Sequence, residues 1–339
     1  MTNETTKQQT PWKRANTDWM RDARWGVMVH FLSDPPSFQH PADVTADEWN
    51  KRVEGFDLPR FVRQIQDVGA GYLIFTLGQS SGFFCSPNAT YDGIVGENPS
   101  RLSRRDLMGE LAEALAPTGI RLIAYLPAHA PGFHPRAVEA LRCTPPWDAS
   151  LWHGSYVSAQ PADERLSDFQ RNWESVIREW SLRWGRNVHG WWIDGCYYPD
   201  QMYRHTGTPN FRSFADALKT GNPESVVAFN PGVLVPIISH TEFEDYTAGE
   251  ANVLVTPNKF HGFQRFIDGA QFHVLSFLGD FWCVGEPRYP DHLVVEYTRY
   301  INGFDGAVTW DVPILPDGRI PDVFSRQLSV IGRSCSPAK

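Results

Sequence analysis

Apolar residues follow two alternating patterns along this chain. Continuous apolar runs are typical of strands buried on both faces of a parallel sheet, and apolar residues three or four positions apart are typical of the helices that cover such a sheet. The continuous runs predict eight strands, at residues 25–31, 72–77, 121–126, 190–194, 226–230, 245–250, 272–278 and 306–311. The spaced runs predict helices at residues 58–68, 107–115, 166–184, 211–218, 293–301 and 323–331. This alternation predicts an α/β protein built as a single (β/α)8 TIM-like barrel.

No low-complexity linker divides the 339 residues. We therefore predict one catalytic barrel at residues 23–335, preceded by a polar N-terminal extension at residues 1–22. No run approaches the ~20 apolar residues that cross a bilayer, and residues 1–14 lack the apolar core of a signal peptide, so we expect a cytoplasmic protein. The five cysteines are scattered and form no Cys-x-x-Cys pair, which argues against a zinc ribbon or a disulfide scaffold.

Charge and aromatic content limit the possible partners. The net charge is -8 and no basic block is present, which argues against nucleic acid or an anionic membrane as a partner. The chain contains 13 tryptophans, which either fill a large core or stack on sugar rings in a cleft. Neither feature predicts an oligomeric state.

Polar and aromatic residues lie at the carboxyl ends of the predicted strands, where TIM barrels place their active sites. These residues are His30, Gln79, Ser80, His129, Asp194, Asn230, Glu250, Asp280, Trp282 and Asp311. Asp194 ends the apolar run Gly-Trp-Trp-Ile-Asp, and a carboxylate there is either catalytic or a structural cap of the next helix. Because many polar groups converge at one rim, the catalytic interpretation is favoured.

Two carboxylates within a ring of hydrogen-bonding groups are suited to glycoside hydrolysis. One carboxylate attacks the anomeric carbon or activates water, and the other, kept protonated, protonates the leaving oxygen. An alternative is a metal-dependent hydrolase with His30, His129 and Asp194 as ligands, although the first strand lacks a close histidine pair. The chain has no Gly-x-Ser-x-Gly, no Gly-rich phosphate loop and no His-Glu-x-x-His. No cofactor is expected.

Several segments, in a shared order, resemble the catalytic domain of glycoside hydrolase family 29, the α-L-fucosidases. Residues 23–30 resemble the family's opening strand, Ala-Lys-Phe-Gly-x-Phe-x-His, and residues 106–111 resemble a recurrent Asp-Leu-Val-Gly-Glu-Leu helix. Trp192-Ile193-Asp194 lies where the family has Trp-x-Asp, whose aspartate is the nucleophile. Residues 316–321 are similar to the family's last turn. The resemblance implies a retaining exo-glycosidase acting on an α-L-fucoside or a related sugar.

The resemblance implies Asp194 as the nucleophile and Glu250 as the acid/base, with Glu244 and Glu286 as alternatives for the acid/base. It also implies sugar-binding roles for His30, Gln79, Ser80, Tyr125, His129, Trp192, Asn230, His273 and Trp282.

The sequence also departs from the family. Gln79 and Ser80 replace the family's paired histidines, and His273 replaces the glutamate of its Trp-Glu-Thr segment. The residues after the last predicted helix are too few for the family's C-terminal β-sandwich. These departures leave open a second interpretation, in which the chain binds sugar without hydrolysing it.

Overall fold

Seven parallel strands form one curled sheet at the centre of the computed structural model, which describes residues 11–33, 43–143, 165–255 and 264–336. The strands are β1 (Trp25–Val29), β2 (Tyr72–Thr76), β3 (Arg121–Pro127), β4 (Gly190–Asp194), β5 (Val226–Phe229), β8 (His273–Phe277) and β9 (Ala307–Val312). Their order in the sheet is β5-β4-β3-β2-β1-β9-β8. Two short antiparallel strands of two residues each, β6 (Phe266–Ile267) and β7 (Ala270–Gln271), form a separate hairpin. Seven of the eight predicted strands are therefore confirmed, with ends that agree within two residues.

Within the described ranges all six predicted helices are present, accompanied by four α-helices that the spacing did not predict. The helices are α1 (Asp18–Ala23), α2 (Ala46–Glu54), α3 (Leu58–Val68), α4 (Ala89–Val95), α5 (Leu107–Leu115), α6 (Pro135–Ala140), α7 (Ser167–Trp184), α8 (Phe211–Leu218), α9 (Asp291–Asn302) and α10 (Asp322–Cys335). Local capping explains why the ends of α3 agree so closely with the predicted helix at residues 58–68. The Asp57 side chain accepts a hydrogen bond from the Arg60 N–H at its start, and Gly69 ends it in the left-handed conformation. No helix in the described ranges is long and apolar enough to cross a membrane.

The strands are buried on both faces because their side chains alternate between two apolar clusters. Val27 and Val29 of β1 belong to the outer cluster, between the sheet and the helices. Met28 of β1, together with Tyr72 and Ile74 of β2, belongs to an inner cluster on the concave side of the sheet. This period of two explains why each strand has a continuous apolar run in the sequence.

The segment predicted as the sixth strand is not a regular strand. Asp245 N donates to Val227 O of β5 (2.7 Å), and Ala251 N donates to Leu275 O of β8 (2.8 Å). Gly249 interrupts the extended backbone with a φ of 66°, and a Cβ at this position would lie 2.0 Å from a carbonyl oxygen of β8. The segment therefore hydrogen-bonds to both neighbours but forms only isolated bridges to β7 and β8.

The described part of the N-terminal extension packs against the amino end of the sheet. Ala15 N donates to Asp245 Oδ1 (2.6 Å), and the same carboxylate accepts from Lys219 Nζ (2.6 Å). Trp19 contacts the edge of Tyr72, with ring centroids 6.0 Å apart, and Met20 is fully buried. The extension thus contributes apolar and polar contacts at the end opposite the predicted active site.

Candidate active site

A cavity of about 300 Å³ opens at the carboxyl ends of the strands. It collects side chains from several strands and from the loops that follow them. The predicted site residues that line it are His30, Gln79, Ser80, Tyr125, His129, Trp192, Asp194, Glu250 and Trp282. The sheet brings together residues that are far apart in sequence because parallel strands all end at the same edge.

Asp194 is the last residue of β4, and three side chains donate hydrogen bonds to it. Tyr125 OH lies 2.6 Å from Oδ2. Gln79 Nε2 lies 3.4 Å from Oδ2, and Asn230 Nδ2 lies 2.8 Å from Oδ1. Gly195 follows with a φ of 80°, and a Cβ there would lie 3.0 Å from the His129 ring. The carboxylate is therefore held in one orientation at the cavity wall.

Glu250 lies beside Asp194 and is held by the same amide. Asn230 Nδ2 lies 2.6 Å from Glu250 Oε2. Burial raises the pKa of Glu250 to about 7, and the nearby negative charge of Asp194 adds to this increase. The hydrogen bond from Asn230 acts in the opposite direction and lowers this pKa. A carboxyl group whose pKa lies near neutrality carries its proton in a large share of molecules at neutral pH, which is the property that suits a general acid.

Asn230 sets an upper limit on the distance between one carboxylate oxygen of Asp194 and one of Glu250. Its Nδ2 atom is 2.8 Å from Asp194 Oδ1 and 2.6 Å from Glu250 Oε2, so these two oxygens are at most about 5.4 Å apart. Retaining glycosidases have carboxyl groups about 5–5.5 Å apart, and inverting enzymes about 6.5–9.5 Å. Asn230 itself is fully buried, and its Oδ1 accepts from Gly232 N (3.1 Å). It is therefore a positioning residue behind the cavity wall.

Asp311, a buried aspartate, orients the ring of His30 through a hydrogen bond. Its Nδ1 lies 2.7 Å from Asp311 Oδ1, and the other oxygen of Asp311 accepts from Cys283 N at 2.7 Å. The imidazole packs against Tyr125 and Trp282 in T-shaped contacts, with ring centroids 5.6 and 6.3 Å away. A buried carboxylate thus fixes the orientation of a histidine ring in the cavity.

Aromatic rings form much of the cavity wall. Tyr125 and Trp192 stack with centroids 5.3 Å apart and an interplanar angle of 16°, and Trp192 Nε1 donates to the Ala248 carbonyl (3.1 Å). Tyr197, Phe281 and Trp282 also line the cavity. Among the described residues of the wall there is no lysine or arginine. An uncharged ligand with apolar faces fits such a wall better than an anion does.

The structure does not bring His273 to this cavity. His273 is the first residue of β8, at the amino end of the strand, and is fully buried. Its Nδ1 lies 2.9 Å from Thr247 O and its Nε2 lies 2.7 Å from Thr309 Oγ1. Burial lowers its pKa to about 4. The prediction of a sugar-binding role, which came from the resemblance, is therefore corrected, because the structure places this residue a full strand length from the rim.

The two alternative acid/base residues also lie outside the cavity wall. Glu244 is fully buried and accepts hydrogen bonds from His240 N (2.5 Å) and Phe229 N (3.3 Å). Its burial raises its pKa to about 8. Glu286 is exposed, and its backbone N–H donates to Asp280. Of the three candidates, Glu250 is the one that lines the cavity beside Asp194.

Sequence reasoning missed three aromatic residues of the wall and the role of Asp311. Phe133 lies in the loop after β3, Tyr197 follows Asp194 by three positions, and Phe281 precedes the predicted Trp282. All three lie in loops after strand ends, so a search of those loops for aromatic residues could have found them. Asp311 was recognised as a strand-end carboxylate, but its partner His30 is 281 positions away and only the fold reveals the pair.

The described ranges contain no group of three or more His, Cys, Asp or Glu side chains placed to hold a metal ion. His129 Nδ1 instead lies 2.9 Å from the carbonyl oxygen of Ala130. His30, His129 and Asp194 therefore line the same cavity, but in the described structure they are not placed as ligands of one ion.

Comparisons with known proteins relate this fold to fucose-acting glycoside hydrolases. No protein-family model matches the chain, and no curated protein matches it in sequence. The endo-fucoidan hydrolase MfFcnA4 of glycoside hydrolase family 107 is similar with a TM-score of 0.68 and 18% identity, over 93% of this chain and 53% of its own. A second family 107 endo-fucoidan hydrolase, P5AFcnA, is similar with a TM-score of 0.67 and 13% identity, over 94% and 92%.

A family 29 α-L-fucosidase from Bacteroides thetaiotaomicron, trapped as a covalent intermediate, is also similar. Its TM-score is 0.62 and its identity 16%, over 96% of this chain and 76% of its own. The α/β fold of this chain is therefore shared with solved structures of both families. At these identities the likeness shows the fold and does not assign the chain to either family. The chain spans about half the length of the MfFcnA4 structure.

Proposed function

We propose that this protein is a retaining glycoside hydrolase with Asp194 as the nucleophile and Glu250 as the acid/base. The observation that carries the proposal is the Asn230 amide, which donates to both carboxylates. It keeps one pair of their oxygens at most about 5.4 Å apart, which is compatible with the separation of about 5–5.5 Å between the carboxyl groups of retaining enzymes. The raised pKa of Glu250 supports its role as the group that protonates the leaving oxygen.

The proposed reaction has two displacements. Asp194 attacks the anomeric carbon and forms an ester bond, while Glu250 gives its proton to the departing oxygen. Glu250, now ionised, then takes a proton from water, which attacks the anomeric carbon and releases Asp194. Tyr125 and Gln79 orient the nucleophile throughout, through the hydrogen bonds they donate to Oδ2.

We propose further that the seven strands and the irregular segment between β5 and β8 close as an eight-membered TIM-like barrel. The hydrogen bonds of Asp245 to β5 and of Ala251 to β8 support this closure. The segment would then occupy the position of the sixth strand, and its carboxyl end would place Glu250 at the rim. Catalytic residues at the ends of strands are the rule in this fold.

The proposed substrate is an α-L-fucoside or a related uncharged sugar, cleaved from a chain end. A cavity of about 300 Å³ is at the small end of ligand pockets and suits a single sugar unit. The stacked aromatic wall supports a ligand with an apolar face. Gln79 and Ser80 line the cavity where family 29 enzymes have two histidines, and Gln79 uses its amide on Tyr125 and Asp194.

Hydrolysis of a panel of p-nitrophenyl glycosides, including the α-L-fucoside, tests the proposal. We expect the parent protein to release nitrophenol from at least one glycoside, and Asp194→Asn to lower that rate roughly a thousandfold or more. Asp200→Asn is the matched control, because Asp200 is an exposed aspartate that pairs with Arg204 after β4. An Asp194→Asn variant that is as fast as the parent would disprove the assignment of the nucleophile.

The product's first-formed anomer, followed by NMR, tests retention independently of the rate. Retention yields the α-anomer first, and inversion yields the β-anomer. If calorimetry detects sugar binding but no glycoside is turned over, the sugar-binding interpretation replaces this one.

A further inference from the structure

Exposed apolar side chains are concentrated around the mouth of the cavity. Ten large apolar side chains of the described residues are strongly exposed, and six of them lie in the loops after β4, β5 and β8 and after Glu250. We call these six the apolar rim; they are Tyr197, Val233, Leu234, Val235, Val253 and Phe281. Val235 is 65% exposed and Val253 is 60% exposed. Exposed apolar groups that cluster at one place usually mark a binding surface.

Contacts join the rim to the cavity. Tyr197 and Phe281 belong to both, since they line the cavity and are also exposed. A Cβ at Gly232 would lie 3.2 Å from the Tyr197 ring, so the loop that begins with Gly232 lies against that ring. Gly232 N donates to Asn230 Oδ1, and Asn230 holds both carboxylates. On the other side, Val253 follows Asn252, which lines the cavity.

The loop after β5 lacks charge. Residues 231–239 read Pro-Gly-Val-Leu-Val-Pro-Ile-Ile-Ser and contain no acidic or basic side chain. A loop at a protein surface normally carries charged or polar residues, because exposed apolar groups cost free energy in water. Its composition and its position beside the catalytic carboxylates both favour a ligand that extends out of the cavity.

We propose that the apolar rim is a binding subsite for an apolar leaving group, such as the alkyl chain of an alkyl glycoside. This inference rests on the proposed function. The sugar occupies the cavity, and the group attached through the oxygen that Glu250 protonates leaves through the mouth, across the rim. The rim thereby selects glycosides whose aglycone is a hydrocarbon over those whose aglycone is water-soluble.

The test compares methyl and n-octyl α-L-fucopyranoside, with the octyl compound kept below its micelle concentration. The two compounds share the sugar and a primary alkoxide leaving group, so they differ mainly in apolar surface. We expect kcat/KM for the octyl compound to exceed that for the methyl compound by at least about tenfold, the factor that roughly two buried methylene groups provide. The double variant Val233→Ser, Val235→Ser should lose most of this preference and keep the parent's rate on the methyl compound.

Leu182→Ser is the matched control, because Leu182 of α7 is 61% exposed and does not line the cavity. It should keep the octyl preference. Equal kcat/KM for the two compounds in the parent protein overturns the subsite, as does an equal loss of the preference in Leu182→Ser. Two other outcomes would make the proposal wrong, both with the octyl preference kept in the double variant. If the double variant loses binding to neutral phosphatidylcholine vesicles, the rim binds a membrane. If it loses the mass of a dimer in sedimentation, the rim binds a second copy of the chain.

The failure of the subsite and the failure of the proposed function give different results. If the parent cleaves both glycosides at equal rates, the glycosidase assignment is supported and the proposal of an apolar subsite is wrong. If neither is cleaved, the glycosidase assignment is wrong for this sugar, and calorimetry with the same two compounds then decides the subsite. Tighter binding of the octyl compound that the double variant abolishes supports the rim, and equal affinities overturn it.

Discussion

Asn230 donates hydrogen bonds to both proposed catalytic carboxylates. Replacing it with alanine should change two measurable quantities, the maximum of kcat/KM and the pKa of Glu250. The variant loses hydrogen bonds to Asp194 Oδ1 (2.8 Å) and Glu250 Oε2 (2.6 Å). Hydrogen bonds to charged groups contribute roughly 1.5–3 kcal/mol each. If one such contribution is lost from the transition state, kcat/KM falls by about tenfold to a hundredfold at the pH optimum.

The pH profile of Asn230→Ala should change in a direction that a purely structural role would not produce. The Asn230 hydrogen bond lowers the pKa of Glu250, so its removal raises that pKa above about 7. Glu250 then keeps its proton to higher pH. We therefore expect the alkaline limb of kcat/KM to move to higher pH while the maximum rate falls, and steady-state rates between pH 5 and 9 measure both effects.

Asn222→Ala is the control for a buried asparagine outside the site. Asn222 donates to Val188 O (3.0 Å) and accepts from Glu224 N (3.1 Å), so its loss affects stability but neither carboxylate. Its pH profile should match that of the parent. An Asn230→Ala variant with the parent's alkaline limb, or with a limb moved to lower pH, refutes the reasoning about the bridging amide.

Three further substitutions test separate parts of the account. In Glu250→Gln the pH profile of kcat/KM should lose its alkaline limb near pH 7, because no acid remains to deprotonate. The variant should also slow the hydrolysis of alkyl glycosides far more than that of a dinitrophenyl glycoside, whose leaving group needs no proton. Equal slowing of both substrates contradicts the acid/base role. Tyr125→Phe removes a 2.6 Å hydrogen bond to the nucleophile and should lower kcat/KM by about tenfold to a hundredfold in the same assay; a change below twofold shows that the bond is dispensable. Lys219→Met removes the charged partner of the fully buried Asp245, which keeps only backbone N–H donors, and should lower the free energy of unfolding in urea by about 3–5 kcal/mol. Arg186→Met, at an exposed pair, should cost at most about 1 kcal/mol. Similar losses in these last two variants contradict the importance of the buried pair.

Apolar periodicity predicted most of the scaffold because the scaffold depends on local patterns. The strand that ends at Asp194 and the helices α3, α5 and α8 have the bounds that their apolar spacing indicates. The segment that ends at Glu250, Asp-Tyr-Thr-Ala-Gly-Glu, is less apolar than the confirmed strands and is not a regular strand. Gly249 adopts a positive φ where the backbone passes close to β8, and a contact of this kind depends on the neighbouring strand.

The residues that line the site were easier to predict from the sequence than the hydrogen bonds between them. Strand-end position correctly brought Asp194, Glu250 and His30 to one cavity. The bridging role of Asn230 depends on the adjacency of β4, β5 and the segment after them, which no local pattern encodes. His273 was misplaced because its segment starts one strand length before the rim, and a motif alignment does not say which end of a strand a residue occupies.

Covalent trapping tests the central claim, that Asp194 is a nucleophile, most directly. The protein is incubated with a 2-fluoro-fucosyl fluoride, whose 2-fluoro group slows hydrolysis of the glycosyl ester, and is then digested and analysed by mass spectrometry. The account predicts a fluoroglycosyl adduct on the peptide that contains Asp194, absent from the Asp194→Asn variant and formed by the Asp200→Asn control. An adduct on the peptide that contains Glu250, with Asp194 unmodified, would contradict it.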